Sequence, residues 1–179
     1  MSAKIYLGLG SNLGDRRRHL LEALDALASL GAPWTERSAC YETEPVGPRQ
    51  PPYLNAVCRV KTALDPAGLL DACLTAEDAL GRVRTVRWGP RVIDVDILLF
   101  GDRVVAEPRL SIPHPRLGGR RFVLEPLCEL APDVREPTSG RTVRQLLAAC
   151  PDHSGVARAG GRLQWRRGSF DSVDRAGSD

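Results

Sequence analysis

One stretch of this chain constrains the fold more than any other. Residues 92–100 read as a β-strand with Ile93, Val95 and Ile97 on one side and Asp94 and Asp96 on the other. Alternate side chains of a strand share a face, so the two carboxylates project the same way, about 7 Å apart along the chain. One face therefore feeds an apolar core and the other holds two acids. Ionised groups buried there without partners would cost on the order of several kcal/mol each, so a cation must compensate. Two compensations stand open. Arg82, Arg84, Arg87 and Arg91 lie close in sequence and can pair with the acids as a structural network. Alternatively the acids hold magnesium, which takes oxygen ligands and is commonly bound by one or two carboxylates plus substrate phosphates. The arginines are then left for the phosphates, the charge arrangement that phosphoryl transfer needs.

The elements around this strand follow from periodicity and caps. Residues 5–9 read as a buried strand. Asp15 is an N-cap for a helix carrying Leu20, Leu21, Leu24, Leu27 and Leu30, stopped by Gly31 and Pro33. Strands are expected at 35–41 and 54–62, separated by a proline-rich loop at 42–52. Asp65-Pro66 opens a second helix, with Leu69, Leu70, Cys73, Leu74, Glu77 and Leu80 before Gly81. An arginine-rich loop spans 81–91, a short return strand 103–105 follows the Gly101-Asp102 turn, 108–120 is irregular, and short helices are expected at 122–129 and 143–149. The order β-α-β-β-α-β predicts an α+β fold with a ferredoxin-like core, an appended strand and helices, and a mostly antiparallel sheet. Residues 1–150 are expected to form one domain and 151–179 a C-terminal extension with an edge strand at 163–165, disordered from about residue 169.

Composition narrows the classes. Of 179 residues, 42% are apolar and 26% charged, which excludes wholesale disorder. No apolar run is long enough to span a bilayer and no leader-like segment precedes the first strand, so a cytoplasmic protein without membrane contact is expected. Five cysteines without CxxC spacing read as reduced thiols. Gly8-Leu9-Gly10-Ser11-Asn12-Leu13-Gly14 follows a strand and precedes a helix, but its GxGxxxG spacing is one residue too long for a dinucleotide fingerprint, and no GxxxxGK[ST] loop exists.

Five further segments accompany that glycine run: Thr43-Glu44-Pro45-Val46-Gly47, Tyr53-Leu54-Asn55-Ala56, Glu77-x-x-x-Gly81-Arg82-x-Arg84, Arg87 to Leu98, and Pro113-His114-Pro115-Arg116. In this order they closely resemble the 6-hydroxymethyl-7,8-dihydropterin pyrophosphokinase family. The resemblance implies a ferredoxin-like fold and transfer of pyrophosphate from ATP, the co-substrate, to the pterin hydroxymethyl group, releasing AMP, in folate synthesis. It makes Asp94 and Asp96 ligands of two magnesium ions, with Arg82 and Arg91 in the catalytic set. It matches Glu77, Arg84, Arg109, His114 and Arg120 to ATP contacts, and Ile97, Leu110 and Ser111 to a mainly backbone adenine site. On the pterin side it matches Tyr53 and Phe122 to an aromatic sandwich. Asn55, Asp94, Thr43, Pro45, Val46 and Gly47 match further pterin contacts, and Trp88 matches a closing-loop tryptophan.

Two positions depart from the family pattern: Leu74 stands where a glutamine is common, and Gly118-Gly119 replace a bulkier pair before Arg120. Loops 42–52 and 81–90 are expected to close over the substrates. A small-molecule enzyme acting as a monomer is expected. A ferredoxin-like nucleic-acid module is the competing class, but it lacks an aromatic-basic strand, and two acids on its sheet would repel a phosphate backbone.

Overall fold

The computed structural model describes residues 3–45, 49–82 and 89–160, together with the backbone of 168–169. Strands are β1 (Ile5–Ser11), β2 (Trp34–Arg37), β3 (Tyr41–Thr43), β4 (Tyr53–Val60), β5 (Asp94–Phe100), β6 (Val105–Glu107), β7 (Leu110–Ile112), β8 (Val156–Arg158) and β9 (Gly168–Ser169). Helices are α1 (Arg16–Ser29), α2 (Pro66–Ala79), α3 (Arg121–Leu130) and α4 (Val143–Ala148). The main sheet runs β5-β1-β4-β2-β9, with β3 continuing beside β4 and β8 outside β3. All its pairings are antiparallel. This is the expected ferredoxin-like arrangement. Its helices start where the caps predict: Asp15 accepts from the Arg18 amide and Asp65 from the Gly68 amide.

The sheet separates two apolar clusters. Ile5, Leu7 and Leu9 of β1 and Val95 and Ile97 of β5 pack with Leu20, Leu24 and Leu27 of α1 and Leu69, Cys73 and Ala76 of α2. Tyr6, Val57, Leu98 and Leu99 face the other way, against Leu124 and Leu127 of α3 and Val143 and Leu146 of α4. Leu98 and Leu99 both join this second cluster because β5 carries a bulge: Tyr6 pairs with Leu99 but Leu7 with Ile97. One extra residue flips the alternation, so Phe100 returns to the first cluster.

Several expected boundaries shift. The strand expected at 35–41 is two strands. Arg37 lies opposite Cys58 and Tyr41 opposite Asn55, so four steps on one side meet three on the other. Ser38 fills the break: its amide donates to the Val57 carbonyl and its hydroxyl accepts from the Val57 amide. Glu42 and Thr43, expected in a loop, belong to β3, because β4 on one side and β8 on the other complete their ladders. The return strand lies at 105–107 and pairs with β7, inside the stretch expected to be irregular, as a separate two-stranded ribbon. The edge strand expected at 163–165 lies outside the described residues; 168–169 pair with β2. Residues 156–158 are part of the main sheet, and Ala159 is buried in the first cluster.

Candidate active site

The site forms where the second face of the sheet is left open by α3. Asp94 lies opposite Gly10, and Gly10 opposite Asn55; one row along, Asp96 lies opposite Gly8 and Gly8 opposite Val57. Two glycines thus sit between the acids and β4, leaving a floor without side chains. Gly10 is needed there for a second reason: a Cβ at this position would stand 2.7 Å from Asn55 Oδ1. The cavity above this floor measures about 520 Å³. Its walls include Asp94, Asp96, Arg91, Arg116 and Arg120 together with Tyr53, Asn55, Thr43 and Phe122.

Asn12, almost fully buried, ties together the segments entering this cavity. Its Oδ1 accepts from the Arg91 amide at 2.8 Å and its amide donates to the Arg91 carbonyl at 3.2 Å. Its Nδ2 donates to Gln50 Oε1 and to the Pro51 carbonyl. The glycine-rich turn after β1 is therefore a brace for the loops before β4 and β5.

The two acids differ. Asp94 is gripped by Arg82 at 2.7 Å and by Arg91 at 2.8 Å. Arg82 is held in turn by Glu77, which also accepts from the Val95 amide at 2.8 Å. Of the four arginines expected from sequence to pair with the acids, Arg82 and Arg91 both engage Asp94, while Arg84 and Arg87 lie outside the described residues. Asp96 Oδ2 stands 3.8 Å from both Arg120 and His114. Burial, with Asp94 beside it, pushes the Asp96 carboxyl up to about 7. Burial and the nearby guanidinium of Arg120 push His114 down to about 4, so His114 is neutral at pH 7 and its approach to Asp96 is no ion pair. Its backbone amide donates to the Leu98 carbonyl at 3.0 Å, at the β5 bulge.

The aromatic and polar residues expected for a flat ring also meet here. Asn55 Nδ2 donates to Thr43 Oγ1 at 2.6 Å. The Tyr53 hydroxyl donates to the Gly89 carbonyl at 3.3 Å. The Arg120 guanidinium lies 5.5 Å from the Phe122 ring centre, a cation–π distance.

Other expected residues lie elsewhere. Glu77, expected to face the nucleotide, is only 2% exposed and turned inward, because an unpaired strand amide and a guanidinium both claim its carboxylate. Ile97 is buried on the opposite face of β5, as is Leu110 of β7, while Ser111 is exposed. Arg109 is 71% exposed and 3.3 Å from Asp71, a surface pair of small energetic weight. Pro45 is half-buried. Val46, Gly47, Arg84 and Trp88, and with them parts of both expected closing loops, lie outside the described residues. Leu74 is half-buried on α2. Gly119 lines the cavity, with nothing within 4 Å of a Cβ placed on it. Glu44, from the segment whose backbone the resemblance matched to the pterin edge, also lines it, as do Arg116 and Asp152, which received no role from sequence. Arg116 was within reach, two residues beyond His114.

Comparison with known proteins agrees with this geometry. Residues 6–132 match the profile of the family described as 7,8-dihydro-6-hydroxymethylpterin-pyrophosphokinase. The 2-amino-4-hydroxy-6-hydroxymethyldihydropteridine pyrophosphokinase of Pseudomonas aeruginosa is 46% identical over 165 residues, 90% of this chain and 99% of that protein. Its namesake from Methylorubrum extorquens is 48% identical over 157 residues, 87% of this chain and 98% of that one. Among solved structures, a wild-type HPPK-DHPS of Plasmodium falciparum aligns at a TM-score of 0.65 and 17% identity, covering 83% of this chain and 44% of that one. The present chain thus spans less than half of that longer protein, and the likeness carries the fold alone. With two relatives above 45% identity over nearly their whole lengths and a family match across residues 6–132, the chain belongs to the 7,8-dihydro-6-hydroxymethylpterin-pyrophosphokinase family.

Proposed function

We infer that this protein transfers the terminal pyrophosphoryl group of ATP to the hydroxymethyl oxygen of 6-hydroxymethyl-7,8-dihydropterin, releasing AMP, in folate biosynthesis. The observation that carries this reading is the pair Asp94 and Asp96, on one strand face over a glycine floor, in a cavity that also holds arginines and two aromatic rings. The hydroxymethyl oxygen bonds to the β-phosphorus as the bond from that phosphorus to the α,β-bridging oxygen breaks. That oxygen leaves with AMP, and the hydroxyl proton passes to water.

The two acids fit a pair of magnesium ions. They offer hard oxygen donors on one strand face, with Asp94 and Asp96 two residues apart, the donor type that magnesium takes. When bound, magnesium neutralises phosphate oxygens and acidifies the attacking hydroxyl. Arg82 and Arg91, stored on Asp94, are then available to the triphosphate, with Arg120, Arg84 and Arg109 as further phosphate contacts and neutral His114 as a hydrogen-bond donor. Backbone near Ile97, Leu110 and Ser111 receives adenine, and Glu77 holds Arg82 in position. Tyr53 and Phe122 enclose the pterin ring, Asn55, Thr43 and the backbone of 45–47 satisfy its polar edge, and Trp88 closes over it. The protein works as a cytoplasmic monomer on small molecules, without nucleic acid or membrane; among the described residues no helix is long and apolar enough to cross a bilayer.

A coupled assay for AMP release from ATP, magnesium and the hydroxymethylpterin, with pterin omitted as control, tests the reading. Asp96→Ala should abolish AMP formation while the circular dichroism spectrum is retained. Turnover at the wild-type rate in that variant would refute the metal assignment.

A further inference from the structure

The tail beyond α4 belongs to the site. After Cys150 the chain crosses to the cavity, where Asp152 forms part of the wall. Asp152 Oδ2 accepts from the Arg121 amide at 3.0 Å. Its Oδ1 is held by the amide and hydroxyl of Ser154. Directly after Ser154, Gly155 exchanges backbone and side-chain hydrogen bonds with Glu44, and Val156 lies opposite Thr43 in the β3–β8 ladder. The Ala159 amide closes the segment on the Cys40 carbonyl at 2.9 Å.

The Arg121 contact has a specific consequence. The first amides of a helix have no partner inside it. Most helices satisfy one with the side chain of the preceding residue, but Arg120, the N-cap residue of α3, makes no such bond. Asp152 supplies it from 31 residues downstream. Phe122 is the next residue of that first turn and lines the same cavity. The carboxylate therefore fixes the turn from which Phe122 projects, while the strand that follows it fixes Thr43, the partner of Asn55. Both groups belong to the end of the cavity assigned to the pterin.

We propose that Asp152 is a positioning residue for the pterin end of the site, and that the catalytic unit runs through Ala159 instead of ending at residue 150. This rests on the pyrophosphokinase reading. Asp152 touches neither reacting atom; it acts through the α3 first turn and Phe122, so its loss weakens pterin recognition and leaves the nucleotide end alone.

Steady-state kinetics of the full chain decide the matter. Asp152→Ala should raise KM for the hydroxymethylpterin about fivefold to tenfold, the scale of one lost capping hydrogen bond, with KM for ATP unchanged. Asp152→Asn keeps an acceptor oxygen and should restore most of the affinity. Equilibrium titration with the pterin, followed by tyrosine and tryptophan fluorescence, should show the same order. An unchanged pterin KM in Asp152→Ala, a matching rise in both KM values, or no rescue by Asp152→Asn would each overturn the proposal. If Asp152→Ala does not fold, Ser154→Ala, which loosens the carboxylate without removing it, should show a smaller rise of the same selectivity, and an unchanged pterin KM there overturns it too. Wild-type protein that releases no AMP would instead refute the underlying function.

Discussion

The two faces of one sheet have opposite compositions although the same strands supply both. Toward α1 and α2 the inward positions of β1 and β4 are apolar, Ile5, Leu7, Leu9, Leu54, Ala56, Cys58 and Val60, except for Ser11 at the end of β1, whose hydroxyl lies 3.4 Å from His19 of α1. Toward α3 the same strands present Tyr6, Gly8, Gly10, Asn55 and Val57, and β5 adds Asp94 and Asp96. The first face is closed over by two 14-residue helices; the second is covered at one end by α3 and α4 and left open at the other. Stability and chemistry are thus assigned to opposite sides of a layer one residue thick. The strand period of two makes this division possible, since every neighbour along the chain belongs to the other side.

Substitutions on either side test how complete the division is. The largest effect should come from Arg91→Ala on the open face. AMP release should fall about a hundredfold to a thousandfold, while urea unfolding shows a change within about 1 kcal/mol, because the pair with Asp94 is partly exposed. Leu24→Ala on the closed face should do the reverse, costing about 3 kcal/mol of stability with both KM values unchanged. A shift of the pterin KM in that variant would break the comparison. Gly10→Ala lies between the two. Its Cβ displaces Asn55, so the pterin KM should rise about tenfold, one lost hydrogen bond and a steric shift, with the ATP KM constant.

A last effect is on the pH dependence of the unliganded protein. The Asp96 carboxyl titrates near 7 when folded, against 3.8 in the absence of the surrounding protein. Between those values the native state holds a proton that the unfolded chain releases, so stability falls as pH rises through this window. Asp96→Asn should remove that fall, and thermal unfolding at closely spaced pH values reads it. Parallel curves for the two proteins would show that the open face carries no electrostatic cost there.

What was legible in the sequence follows the same division. The caps at Asp15 and Asp65, the leucine spacing of α1 and the one-sided pattern of β5 are local signals, and each is realised. The shared face of Asp94 and Asp96 follows from strand geometry alone. The β5 bulge was hidden because Ile97, Leu98, Leu99 and Phe100 are all apolar, and an unbroken apolar run carries no alternation from which a flip can be read. The break at Ser38 was hidden because a serine that takes both Val57 ladder bonds looks like any strand serine. Asp152 could not be found at all. It reaches the α3 amide across 31 residues, and no local pattern records such a contact.

Glu77 has one more effect, beyond holding Arg82. Among the described residues β5 ends the sheet on its side, and terminal strands with open amides invite pairing with another chain. The Val95 amide is not available for that, since Glu77 already occupies it from α2. A foreign strand laid against this border would have to displace a buried carboxylate together with its guanidinium partner. The contact that holds Arg82 therefore also works against aggregation along that border.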